Sequence, residues 1–157
     1  MAAVTIPQSV AWRNVFYGTP NVSGPADTNE NTLVTLTLPA YTMGANGILK
    51  IESWWDVTNN ANAKTPRIKF GGTAILTGSL ASTAFFHDIR TVFNTAAAAQ
   101  RVFPAGGTGG WHTAATASST LAVNTAADVT ILFTVQKATA GDTMTLVAYT
   151  VDVCTRP

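Results

Sequence analysis

Residues 56–76, DVTNNANAKTPRIKFGGTAIL, decide the fold. They read as the end of a strand, a polar loop and then a tight hairpin. Pro66-Arg67-Ile68-Lys69-Phe70 is a short extended run, Gly71-Gly72 a two-residue turn, and Thr73-Ala74-Ile75-Leu76 the returning strand. The favoured two-residue hairpin turns need φ > 0, which glycine adopts without strain. Two glycines between apolar, β-rich runs therefore predict a hairpin, and the hairpin points to an all-β class. Alternation sets Ile68 and Phe70 on one face of the first strand and Arg67 and Lys69 on the other, solvated face.

Outward from this hairpin, strand patterns continue in both directions. Residues 12–17 form a candidate first strand, closed by Gly18 and followed by a turn-rich stretch through Asn31. Residues 33–38 alternate Val34, Leu36 and Leu38 against Leu33, Thr35 and Thr37, and residues 48–57 alternate Leu49, Ile51, Trp55 and Val57 against Lys50, Glu52, Trp54 and Asp56. Residues 85–94 set Phe85, Ile89 and Phe93 against Asp88 and Arg90. A weaker strand pattern covers 111–119. Residues 129–136 and 144–153 supply the last two strands, joined at Ala140-Gly141-Asp142; in the second, Val147, Tyr149, Val151 and Val153 share a face. The one helix-friendly stretch is 95–101, rich in alanine, which reads as a turn or two inside a loop before Pro104 and a glycine run.

The count is about eight or nine short strands separated by turn signals, as in a sandwich or barrel. Long connections at 18–31, 58–65 and 95–110 fit Greek-key crossings better than a meander. The expectation is a single-domain antiparallel β-sandwich, a jelly roll. Residues 1–31 read as an N-terminal arm carrying the candidate first strand, and residues 32–157 as the jelly-roll domain.

Composition narrows the function classes. A chain of 157 residues suits one domain, burying roughly 70% of its unfolded surface. Charged residues are 11% of the chain and the net charge is +1, against about 25% charged in typical soluble domains. A weakly charged, Thr- and Ala-rich surface tolerates being covered by neighbours, which favours an assembly subunit. Nucleic acid is not an expected partner, because the nine basic residues are scattered and phosphate binding needs them clustered. Neither a membrane-spanning run nor a secretion signal is legible. The lone Cys154 precludes an intrachain disulfide and reads as a half-buried structural thiol.

Chemistry is sparse. His87 adjoins Asp88, but neighbours on a strand point to opposite faces, so the two make no dyad. His112 follows Trp111 after the glycine run, which lacks the Lys-Ser/Thr and the helix of a phosphate loop. The carboxylates form no close-spaced metal-ligand string. Glu52 and Asp56 share a face with Lys50, a solvated arrangement rather than an acid/base pair. We expect no enzyme activity, no cofactor and no metal. The remaining information lies in aromatic side chains: Trp55 reads as core, while Trp54 points outward, where a tryptophan marks interfaces. Trp12, Phe16 and Tyr17 in the first strand and Trp111 in the glycine-rich region are further interface candidates. So are Asn59, Asn60 and Asn62 in the polar loop, which could reach a neighbour.

Several of these stretches together carry a resemblance. They are Leu36-Thr37-Leu38-Pro39, the run GANGILKI at 44–51, the pattern TNN-x-N-x-K-T-x-R-I-x-F-G-G-T at 58–73, and AGDTMTL at 140–146. In these the chain resembles the small jelly-roll proteins of tailed-phage virions: decoration or cement proteins, head fibres and tail-fibre tips. The resemblance implies a virion structural protein, made in the host cytoplasm, that forms homo-oligomers, trimers above all, and carries no active site. Without coiled-coil heptads or a shaft repeat, a capsid decoration protein bound to the major capsid protein is favoured over a tail component. A receptor-binding tail tip that holds a glycan is the alternative. A carbohydrate-active enzyme using Glu52 or Asp56 is the weakest one.

Overall fold

The structure is a computed structural model that describes residues 11–103 and 118–155. Eleven strands run through them: β1 (Trp12–Gly18), β2 (Val22–Ser23), β3 (Asn31–Leu38), β4 (Ile48–Val57), β5 (Lys64–Phe70), β6 (Thr73–Thr77), β7 (Phe85–Ala96), β8 (Ala99–Phe103), β9 (Ser119–Leu121), β10 (Val129–Lys137) and β11 (Met144–Cys154). No helix occurs among the described residues.

The pairing is nested. The β5–β6 hairpin lies innermost, around Gly71 and Gly72 at φ 56° and 83°. Around it β4 pairs with β7, β3 with β10, and β1 with β11, all antiparallel. Two further pairings, β11 with β4 and β10 with β5, join these pairs into sheets. One sheet runs β1-β11-β4-β7, extended by β8 and β9, with β2 continuing the β1 edge on β11; the other runs β3-β10-β5-β6. A long hairpin folded over on itself in this way is a jelly roll.

The core lies between the sheets. Leu49, Ile51 and Trp55 of β4 face Ile68 and Phe70 of β5 and Ile131 and Phe133 of β10, all without exposed surface. Ring contacts bridge the layers: Phe133 stacks on Tyr149 at 5.2 Å and meets Trp55 at 6.4 Å. The Trp55 indole N–H donates to the buried Ser53 hydroxyl at 3.0 Å, so no polar atom of that ring is left unpaired. In the hairpin, Ile68 pairs with Leu76 and Lys69 with Ala74. The extra residue, Ile75, makes a bulge through which both Ile75 and Leu76 turn inward.

Three expectations are corrected, and the inner face of β7 is assigned. Residues 95–101 are not helical: they are the end of β7, a turn at Ala97-Ala98 and the start of β8. Helix propensity separates ordinary residues by less than about 0.7 kcal/mol each, and here the ladder and the bonds from Thr125 to the Ala97 carbonyl (N–H at 2.7 Å, Oγ1 at 3.0 Å) outweigh it. On β7 the two faces divide as expected, and the inner one is the polar one: Asp88 and Arg90 are buried, while Phe85 is 60% exposed. The Arg90 guanidinium closes a fork on the Asp88 carboxylate, two bonds of 2.8 Å, so the charges enter the sandwich as a neutral pair. On β11 a bulge at Val147 shifts the alternation, so Met144 and Leu146 line the core ahead of Tyr149, Val151 and Val153. Cys154 is buried rather than half-buried, in register between Trp12 and Ile48. The strand expected at 111–119 lies largely outside the described residues, as do the glycine run and His112.

Candidate functional site

Strand alternation and register assemble a continuous outer face on the larger sheet. Trp54 lies opposite His87, Asp56 opposite Phe85, and Glu52 opposite Ile89, while Phe93 faces Ile48 on one side and Arg101 on the other. Polar contacts cross this face from strand to strand. Asn14 donates to Asp152 at 2.8 Å, and Lys50 reaches Asp152 at 3.2 Å and Glu52 at 3.8 Å. Glu52 Oε1 lies 2.8 Å from His87 Nε2, and the His87 ring stacks on Trp54 at 5.0 Å and 15°. Aromatic residues flank the polar line on both sides. Trp12 lies under the Lys50 ammonium at 5.8 Å, and Phe93 meets Phe103 edge-on at 5.6 Å. Tyr17 is 80% exposed, Phe85 60%, Trp12 51% and Phe103 46%.

A second cluster forms at one end of the sandwich. The Asn60 side-chain amide donates to Asp142 at 2.6 Å, and its oxygen accepts from Lys64 Nζ at 2.6 Å and from the Asn62 N–H at 3.0 Å. Asp142 sits in the β10–β11 turn, so these contacts tie the polar loop to the last hairpin. The hydrogen bond from Asn60, with help from Asn62 and the Lys64 and Lys137 charges, holds the Asp142 carboxyl below its ordinary range against the opposing effect of burial. On the outer face of the smaller sheet Glu30 accepts from Lys69 at 2.6 Å and from Thr134 at 2.7 Å, with Arg67 at 3.2 Å. The Lys69 bond is the main reason its carboxyl is also lowered.

The residues singled out in the sequence fall in different places. Trp12, Tyr17 and Trp54 share the outer face, with Trp54 half-buried beside His87. Phe16 turns the other way and packs against the core. Asn60 and Asn62 belong to the Lys64–Asp142 cluster, and Asn59 is exposed next to it. Trp111 lies outside the described residues. Sequence reasoning picks out none of Phe85, His87 and Phe103 as interface residues. Their signal is in the strand register, which sets them in line with Asp56, Trp54 and Thr91. Among the described residues no group of three or more His, Cys, Asp or Glu side chains could hold a metal ion. An open groove of about 530 Å³ beside the Gly71 turn contains one titratable side chain, Asp128, which accepts the Ala40 N–H at 2.9 Å.

No family model matches the sequence, and no curated protein matches it. Among solved structures the chain is similar to one of the infectious bursal disease virus Gx strain. Identity is 12% and the TM-score 0.29, over 98% of this chain and 44% of that one. It is also similar to one of the infectious bursal disease virus VP2 subviral particle, with 13% identity and a TM-score of 0.28, over 98% and 46%. The chain thus spans less than half the length of either, and likenesses this loose carry no argument about its role. The assignment of a jelly roll rests on the nested strand pairing.

Proposed function

We propose that this chain is a non-enzymatic structural protein of a phage virion, a decoration or cement subunit that binds the assembled head as a multimer. The observation that carries the reading is the aromatic outer face of the larger sheet. Rings half or more exposed on one sheet face, set around a nearly neutral polar line, are the composition of an interface core with its polar contacts. The low overall charge and the sequence resemblance to phage jelly-roll proteins support the same reading. Glu52, the best placed carboxylate for hydrolytic chemistry, is engaged by His87 and Lys50, which supports a surface network rather than an acid/base pair.

A subunit that binds the closed shell but not its free components stabilises the shell by mass action. Immunogold labelling and cryo-microscopy of purified virions test the proposal, with density expected on the head. Absence of the protein from the head would overturn the decoration role. Density at the tail together with binding on a glycan array would assign it to receptor binding instead.

A further inference from the structure

Two lysines are buried at the end of the sandwich beside a single carboxylate. Lys64 has no exposed surface, Lys137 is 3% exposed and Asp142 is 6% exposed. The Lys137 ammonium is held by backbone carbonyls: Pro25 and Asp142 at 2.8 Å, Gly24 and Ala140 at 3.4 Å. Lys64 faces the Asn60 amide and the Asp142 carboxylate. Its Nζ lies 2.6 Å from Asn60 Oδ1, 3.3 Å from Asn60 O and 3.9 Å from Asp142 Oδ2. Asn60 Nδ2 donates to Asp142 Oδ1 at 2.6 Å, while Asp142 Oδ2 has no hydrogen-bond partner. The orientation of the Asn60 amide is settled by its neighbours, two donors against its oxygen and a carboxylate against its nitrogen.

These are the parts of an amide-forming reaction: an amine, a carboxamide, a proton carrier touching both, and a backbone N–H aimed at the oxygen where negative charge would develop. The geometry points to a self-formed isopeptide bond between Lys64 Nζ and Asn60 Cγ, with Asp142 carrying the proton. In the first step Asp142 Oδ2 takes a proton from the Lys64 ammonium. The free amine, already held against the carboxamide, adds to Cγ. The oxygen that becomes negative keeps the Asn62 N–H as a donor, the arrangement that stabilises a tetrahedral intermediate. The Asp142 carboxyl then turns to bring the proton on Oδ2 to the Asn60 nitrogen, in place of the bond that Oδ1 accepts, and protonates it. The Cγ–Nδ2 bond breaks, and the nitrogen leaves as ammonia, taking one of the two protons left on the former amine to become ammonium; the other stays as the new amide N–H. One C–N bond forms and one breaks, and no oxidant or co-reactant is needed.

Charge balance gives the reaction its direction. Before it, the buried cluster holds two cations and one anion; afterwards it holds one of each. An uncompensated buried charge is costly, and departure of ammonium into solvent removes it. The new amide N–H inherits the hydrogen bond from Asn60 Nδ2 to Asp142. The closed loop spans only residues 60–64, so it constrains the unfolded chain little. The gain lies in removing a charge and making the loop's attachment permanent.

Intact-mass measurement of the purified full chain under denaturing conditions tests this. The expected mass is lower than the sequence mass by one ammonia, with trypsin failing to cut after Lys64 and a fragment spectrum joining Lys64 to Asn60. Asp142→Asn should restore the full mass. A succinimide at Asn60 also loses ammonia, but it leaves Lys64 cleavable and opens in hydroxylamine, whereas the isopeptide does neither. Full sequence mass in fresh and aged wild-type protein would overturn the bond, as would ammonia loss with Lys64 still cut. A cross-link that persists in Asp142→Asn would overturn the role given to Asp142.

Discussion

The two glycines at the centre of the hairpin differ in what surrounds them, and this makes a sharp test at the scale of single residues. Both have positive φ, so a Cβ at either position costs about 1–2 kcal/mol of backbone strain. At Gly72 the added carbon meets nothing within 4 Å, whereas at Gly71 it would lie 2.5 Å from Val123 Cγ1. Gly72→Ala should therefore lose only the backbone term, and Gly71→Ala a further 1–3 kcal/mol or so from overpacking. Urea unfolding midpoints measure the difference, and equal losses would contradict the packing of Val123 on the turn. Acid stability is also set by single residues. Glu30 and Asp142 both have carboxyls lowered in the folded state, chiefly by hydrogen bonds from Lys69 and Asn60 respectively. Their stabilisation is complete above the ordinary carboxylate range, near pH 4–5, and is lost as pH falls through the lowered folded values. Glu30→Gln should flatten the acid limb of a stability–pH curve. Added salt should weaken the Glu30 share more than that of Asp142, because Glu30 lies in the more exposed network.

At the scale of elements, β7 shows where alternation informs and where it misleads. Its period of two is plain in the sequence, but hydrophobicity chooses the wrong face as the inner one. The Asp88–Arg90 fork makes two charged residues cheaper to enclose than either would be alone, and Asn94 and Gln100 continue the polar inner line through Thr125 and the Val123 backbone. The Asp88–Arg90 fork is local, two residues apart on one face, but no local pattern announces the Asn94 partner, which lies in a loop some thirty residues away. The neighbouring β8 was hidden for another reason: the alanine run 96–99 that leads into it carries no strand signal, and the partner that defines the strand is β7 itself. The β4 strand was legible in full and β5 from Pro66 onward, because their apolar faces and the glycine turn agree; Lys64 and Thr65 carry no strand signal apart from the polar loop before them. A variant pair checks the inversion. Arg90→Ala leaves the buried Asp88 without its fork and should cost about 3–5 kcal/mol, while Phe85→Ala on the outer face should change stability by no more than about 0.5 kcal/mol. Chemical denaturation of both variants decides it, and the reverse ranking would place Phe85 in the core.

At the scale of the whole molecule, the nested pairing was foreseeable because the central hairpin and the long connections leave few untangled ways to pair the remaining strands. The interface on the larger sheet was only partly foreseeable. Trp54 reads as outward from its own strand, but its stacking on His87, the His87–Glu52 contact and the neighbouring Phe85 exist only once β7 is laid beside β4. That face also gives the whole-molecule test of the proposed role. Tyr17 and Phe85 are the most exposed of its rings, so charges placed there disturb no core packing, yet they would be desolvated without a partner in any interface covering the face. The double variant Tyr17→Lys/Phe85→Lys should keep the wild-type melting temperature to within a few degrees. It should also lose self-association in sedimentation velocity and retention on purified phage heads. A variant that folds, assembles and binds heads as the wild type does would move the interface to another surface, with the open edges of β3 and β6 next in line because each pairs on one side only among the described residues.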